Sequence, residues 1–162
     1  MSRLDSFIRR MQAQRTCLNW AAQSVADLPG AVIELGLGNG RTYDHLREIL
    51  PERAIYVFDR QVKAHPSCVP PDDRLFLGDV ADTLPEAARH LSGAVALAHT
   101  DLGTGVEDND GPLARLIGPW LTRLLHPGGV VVANHVLAVD ALVPLPEPDG
   151  VQPGRYFLYR AE

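Results

Sequence analysis

Residues 32–42 read Val-Ile-Glu-Leu-Gly-Leu-Gly-Asn-Gly-Arg-Thr, and no other stretch restricts the fold so strongly. A short apolar run carries Glu34, glycines follow at the alternate positions Gly36, Gly38 and Gly40, and helical spacing begins at once after them. The pattern predicts a buried strand, a tight turn, and a helix whose free amides face the turn. Glycine admits backbone dihedrals closed to other residues and lets a ligand lie directly on the main chain. The helix start presents partial positive charge to a carboxylate or phosphate.

Further apolar runs at 31–35, 54–58, 75–77, 94–98 and 130–133 predict five strands. Between them, helical spacing predicts helices over 42–50 and 85–91, and a third that starts at Pro112 with Leu113, Leu116, Ile117, Trp120, Leu121 and Leu124 on one face. Residues 61–73, rich in proline, read as loop, as does the acidic stretch 103–110. Strands alternating with helices mean a mostly parallel sheet covered on both faces, an α/β doubly wound fold. Two last apolar stretches, 138–145 and 155–159, predict a C-terminal antiparallel hairpin at the sheet's end.

A long N-terminal helix is expected over 3–27, where Leu4, Met11, Leu18 and Val25 recur every seventh residue, with Phe7, Ile8, Ala21 and Ala22 on the same face. At ~37 Å it is longer than a small sheet can cover. The stripe packs across the sheet, and its excess length is a candidate homo-oligomer contact. The 162 residues are expected to form a single domain, with 1–29 as N-terminal helix, 30–135 as cofactor-binding core and 136–162 as terminal hairpin.

The net charge of −5 argues against a nucleic-acid backbone or an anionic membrane as the main partner. Cys17 and Cys68 have neither metal-ligand spacing nor a disulfide framework, so a cytoplasmic location is expected. No apolar run approaches the length of a membrane span.

In such sheets ligands bind beyond the carboxyl ends of the strands. Glu34, Asp59, Asp79, Asp101 and Asn134 all fall at those ends. Two ligand classes compete for the glycine turn. A dinucleotide site wants Gly-x-Gly-x-x-Gly, but the third position here is Arg41. An NAD-type oxidoreductase would therefore lack one glycine, and the chain has no room for a second substrate domain.

The pattern Glu34-x-Gly36-x-Gly38-x-Gly40 resembles the first motif of class I S-adenosylmethionine-dependent methyltransferases, in the manner of a small stand-alone bacterial domain. Asp59 resembles that superfamily's ribose-binding acid, Gly78-Asp79-Val80 its adenine-contacting segment, and residues 125–130 the turn into its fifth strand. The resemblance implies a Rossmann-like fold and S-adenosyl-L-methionine as cofactor. It implies a cofactor site at Glu34, Gly36, Gly38, Asn39, Gly40, Arg41, Asp59, Arg60, Gly78, Asp79 and Val80. The methionine end would lie over the glycines, its carboxylate meeting the amides near Gly40 and Arg41. Asp59 would accept from the ribose hydroxyls and Asp79 from the adenine amino group, and Arg60 could stack on the ring. A non-catalytic cofactor-binding subunit of the same fold is the alternative.

Methyl transfer is an in-line displacement in which the enzyme chiefly positions the nucleophile. Asp101, at the end of the fourth strand, is the candidate catalytic residue: it could orient an acceptor, take its proton, or hold the cofactor's amino group. The chain lacks the Asn/Asp-Pro-Pro-Tyr type of segment that marks amino-directed methyltransferases of nucleic acids and proteins, so a small-molecule acceptor is expected. Residues 132–136 resemble the segment where catechol-type O-methyltransferases hold a divalent metal. Here Asn134-His135 replaces their Asp-Asn pair, so a hard anionic ligand is missing and no metal is expected.

Overall fold

The computed structural model describes residues 2–103 and 107–162, the side chains of 107–109 excepted. Its elements are α1 (Arg3–Ser24), β1 (Ala31–Leu35), α2 (Arg41–Ile49), β2 (Ile55–Asp59), β3 (Leu75–Leu77), α3 (Val80–Leu91), β4 (Val95–Thr100), α4 (Glu107–Leu124), β5 (Leu125–Ala133), β6 (Leu142–Leu145) and β7 (Phe157–Ala161). Single 3-10 turns at Pro66–Cys68 and Asp72–Arg74 lie in the proline-rich loop between β2 and β3.

Among the described residues the strands form one sheet in the order β3-β2-β1-β4-β5-β7-β6. β1 runs parallel to β2 and β4, and β7 runs antiparallel to both β5 and β6. This is the doubly wound sheet with an antiparallel end that the alternation of elements predicts. The order reverses between β1 and β4, which brings the glycine turn and Asp101 together. Gly36 N donates to Phe58 O at 2.8 Å and Asp101 N to Leu35 O at 3.0 Å.

Successive strand residues face opposite sides, so each strand feeds two cores. Ile33 and Ala98 pack with Leu84 of α3 and Leu121 of α4. Val32 and Leu97 pack with Leu18 of α1 and Leu46 of α2.

A capping box starts α1: Ser2 Oγ accepts from Asp5 N at 3.0 Å, and the Asp5 carboxylate accepts from Ser2 N at 3.0 Å. Leu18, Ala21 and Ala22 are buried as the stripe predicts, but Leu4, Phe7 and Ile8 are 66%, 47% and 44% exposed, because the first turns overhang the sheet. The helix ends at Ser24, short of the expected 27. Arg53 gathers the carbonyls beyond it, donating to Val25, Leu28 and Gly30 at 2.6, 2.7 and 2.8 Å.

Three boundaries differ from expectation for local reasons. α3 begins at Val80 rather than 85, because Asp79 caps it through Oδ1 to Ala81 N at 3.0 Å. Pro85 then sits inside the helix, where it lacks the donor its position would have used. α4 is helical from Glu107, ahead of Pro112; of the loop expected over 103–110, residues 104–106 lie outside the described ones. β5 starts at Leu125, since its register slips between Val95↔Leu125 and Leu97↔Val130 and takes in the expected His-Pro-Gly-Gly turn. No described helix is long and apolar enough to cross a membrane.

Candidate functional site

The glycine turn carries left-handed backbone at alternate positions, with φ of 98° at Gly36, 52° at Gly38 and 83° at Gly40. Two of these differ in what surrounds them. A Cβ at Gly40 would stand 2.5 Å from Cys68 Cβ, so the loop after β2 packs on that residue. A Cβ at Gly38 would meet nothing within 4 Å, so its main chain is an open cradle. Arg41 opens α2 with its guanidinium 5.8 Å from the Phe7 ring centre, and the Asn39 amide oxygen, in the orientation that satisfies it, accepts from Arg41 at 3.3 Å.

The end of β2 reaches across to this turn. Asp59 Oδ2 accepts from Leu37 N at 2.8 Å and Gly38 N at 3.1 Å, while Oδ1 accepts from Gln61 N at 3.2 Å. Beside it opens a cleft of about 390 Å³. It is lined by Asp59, Arg60, Gly78 and Val80 together with Leu102, Gly103, Asp110 and Leu113. Asp79 is not among the lining residues. Its Oδ2 accepts from Arg60 at 2.8 Å, and the Ala81 amide chiefly holds its pKa below the ordinary carboxylate value, against an opposing effect of burial and with Arg60 adding to the lowering.

Beneath the turn, Glu34 is fully buried. Its carboxylate accepts from Thr42 Oγ1 at the start of α2 and from His99 Nδ1 at 2.7 Å. His99 Nε2 in turn lies 3.5 Å from Gln14 Nε2 of α1, which also donates to Asp101 Oδ2 at 2.9 Å. Arg10 Nη2 donates to the same oxygen at 3.0 Å. A hydrogen-bonded chain thus runs from α2 through β1 and β4 to α1. His99, which no sequence motif singles out, is 0% exposed and central to this chain. Sequence reasoning also overlooked Gln14, whose signal is visible in retrospect as a polar residue within the apolar stripe, between Met11 and Leu18. Tyr156 is buried next to this cluster, and burial, then the charge of Asp101, pushes its pKa up against the opposing charge of Arg10.

On the sheet's other face, Asn134 Nδ2 donates to Leu102 O at 2.7 Å and fastens the segment after β4. His135 does not meet Asp101; its Nε2 lies 3.4 Å from Asp110 Oδ2. Asp110, which the sequence reading left within the acidic stretch 103–110, is only 2% exposed. A larger groove of about 560 Å³ lies at the amino ends of the strands, between Asn19, Ala22, Ile49 and Arg53. Its one guanidinium, Arg53, is already engaged by the carbonyls after α1.

A bare backbone cradle, a carboxylate reaching it, and an adjoining half-apolar cleft fit a nucleoside joined to a flexible amino-acid end. Residues 1–161 match the family described as S-adenosyl-L-methionine methyltransferase. The chain is 44% identical to the S-adenosyl-L-methionine methyl transferase of Silicibacter pomeroyi DSS-3, covering 100% of this chain and 99% of that one with a TM-score of 0.94. Human methyltransferase-like protein 13, solved in complex with SAH, shares the fold at 13% identity and TM-score 0.58, over 95% of this chain and 81% of that one. The antibiotic-resistance methyltransferase Kmr does so at 16% and 0.52, over 91% and 92%. No curated protein matches. With nearly its whole length matched and its cofactor thereby S-adenosyl-L-methionine, this chain belongs to the S-adenosyl-L-methionine methyltransferase family.

Proposed function

We propose that the enzyme methylates a small-molecule acceptor held beside Asp101, in the cytoplasm. The observation that carries this reading is the pinning of Asp101 by Arg10 and Gln14 of α1, which leaves its side chain 21% exposed. A tip so covered by the chain's own helix suits a small acceptor better than a folded polyanion, and the net charge of −5 points the same way.

When bound, S-adenosyl-L-methionine supplies an electrophilic methyl group on sulfur. The residues of the chain would bind and orient around it. The backbone of Gly36, Gly38 and Gly40 would underlie the methionine end, with Glu34 supporting the turn from below. The amides near Gly40 and Arg41, at the positive end of α2, and the Asn39–Arg41 pair would meet its carboxylate. Asp59 retains lone pairs for the ribose hydroxyls, and Arg60, Gly78 and Val80 offer one wall to the adenine. Asp79 would serve from outside the cleft, holding Arg60 and the start of α3. Asp101 would orient the acceptor and, where the acceptor carries a proton at neutral pH, accept it. The groups near the tips of β4 and β5 are Asp101, an amide and an imidazole turned to Asp110, a set poorly suited to magnesium, so positioning carries the reaction in this reading.

The exposed Leu4, Phe7 and Ile8 support a homo-oligomer joined through α1, which sedimentation of wild type and Phe7→Glu would test. Free Cys17 and Cys68 accord with a reducing compartment. For the acceptor, the test is incubation with methyl-labelled cofactor, a small-molecule cell extract and ribosomal and transfer RNA. Label is expected in the small-molecule fraction; label confined to RNA overturns the reading.

A further inference from the structure

We propose that Gln14 holds Asp101 in place only while His99 Nε2 carries no proton, so that Gln14 and His99 are positioning residues for the acceptor carboxylate; this rests on the role given to Asp101 above. Two side-chain bonds fix that carboxylate, both at Oδ2: Gln14 Nε2 donates at 2.9 Å and Arg10 Nη2 at 3.0 Å. Oδ1 accepts no hydrogen bond from the described residues and is the oxygen left for an acceptor. The two donors are unequal. The Arg10 side chain is 51% exposed, where water and salt weaken its hold, whereas Gln14 is 4% exposed and lies among the packed residues of α1.

The chemistry of its partners sets what Gln14 can do. An ionised carboxylate only accepts, so the amide atom that faces Asp101 is the NH2 nitrogen. That same nitrogen lies 3.5 Å from His99 Nε2. On the other side of the ring, Nδ1 faces the buried Glu34 carboxylate at 2.7 Å, which places a proton on Nδ1. In the neutral ring Nε2 is therefore an acceptor, and one NH2 group serves both it and Asp101 with its two hydrogens. A second proton makes Nε2 a donor and sets N–H against N–H. The amide can then answer the ring only with its oxygen, and an oxygen in that place faces Asp101 Oδ2 acceptor to acceptor, so the bond to Asp101 is lost. The other groups around this cluster are Glu34 in β1, Arg10 and Cys17 in α1, and Tyr156 before β7; β5 sets only Val132 beside the ring. Burial pushes the pKa of Cys17 up to about 11 and that of Tyr156 up as well, so both are neutral at neutral pH.

Nuclear magnetic resonance on the isotope-labelled chain tests this with neither cofactor nor acceptor present. At high pH the His99 ring is expected to be neutral with its proton on Nδ1. As pH falls, the ring, the Gln14 NH2 group and the Asp101 carboxyl carbon are expected to shift with one common midpoint. Burial opposes the charged ring, but Glu34 and then Asp101 outweigh it, so that midpoint lies above the ordinary 6.5. In Gln14→Met the ring is expected still to titrate while the response of the Asp101 carbon is lost; a ring that merely supports the fold would leave that response in place. A proton on Nε2 rather than Nδ1 at high pH, or a Gln14 NH2 group indifferent to the ring's titration, overturns the proposal, and both are read in wild type should Gln14→Met not fold. Retention of the full Asp101 response in Gln14→Met overturns it as well. Unchanged labelling of the small-molecule fraction by Asp101→Asn would instead overturn the role of Asp101 on which the proposal rests.

Discussion

His99 Nδ1 lies 2.7 Å from Glu34 Oε2, and solvent reaches neither side chain. The pair stands directly under the glycine turn and joins it, through Gln14, to Asp101. The turn proposed to cradle the cofactor and the carboxylate proposed to face the acceptor therefore share one buried support. A charge in such a place is tolerated only while its partners remain.

Removing one partner is accordingly expected to be severe. His99→Leu leaves the buried Glu34 carboxylate with Thr42 alone and should cost about 3–5 kcal/mol in urea unfolding. The double variant Glu34→Leu/His99→Leu should recover a large part of that loss, because no stranded charge remains. A single-variant cost below ~1 kcal/mol would show that the pair contributes little.

The same pair gives stability a pH dependence of definite sign. Burial lowers the His99 pKa, but the Glu34 carboxylate and then Asp101 outweigh it, so the folded value lies above the ordinary 6.5. The groups facing the ring are Glu34, Gln14 and Asp101. A histidine whose pKa is raised by folding contributes stability that is complete below its unfolded value and is lost as pH climbs through the folded one. Unfolding free energy should therefore fall more steeply in wild type than in His99→Gln as pH rises above the ordinary histidine value of 6.5, by up to ~1.4 kcal/mol per unit. Parallel profiles for the two proteins would contradict this.

How much of this was legible follows from where the signals were local. The turn at Gly36–Gly40 and the acid at Asp59 could be read because an apolar run, a breaker and a polar residue stand consecutively in the chain. The start of α3 was misplaced because Pro85 resembles a first-turn proline, whereas the cap at Asp79 shows itself only through its bond to Ala81 N. His99 and Gln14 meet across 85 positions of sequence, and His135 and Asp110 meet between a strand end and a helix. No periodicity reports such encounters, since they depend on how α1 crosses β4 and how α4 lies against β5.

Asp59 invites a cofactor-binding test. Its Oδ2 orders the amides of Leu37 and Gly38. Asp59→Ala removes that order together with the proposed ribose acceptor. Affinity for S-adenosylhomocysteine should drop by ~10-fold to ~1,000-fold, corresponding to one or two hydrogen bonds to a charged group. Unchanged affinity in calorimetry would remove Asp59 from the site.

The glycines of the turn should separate stability from binding. Gly40→Ala places a methyl group 2.5 Å from Cys68 Cβ at a φ of 83°, so both contact and backbone oppose it. A loss of ~1–3 kcal/mol in stability is expected, with the 3-10 turn at Pro66–Cys68 displaced. Gly38→Ala meets nothing within 4 Å, and its φ of 52° lies in the left-handed well, so only ~1 kcal/mol of strain should follow. Its methyl group, however, projects from the open face of the cradle. Affinity for S-adenosylhomocysteine should therefore fall by an order of magnitude or more in Gly38→Ala, even where thermal unfolding moves by only a few degrees. Were Gly38→Ala to bind as well as wild type, the methionine end of the cofactor would have to lie elsewhere than over this turn.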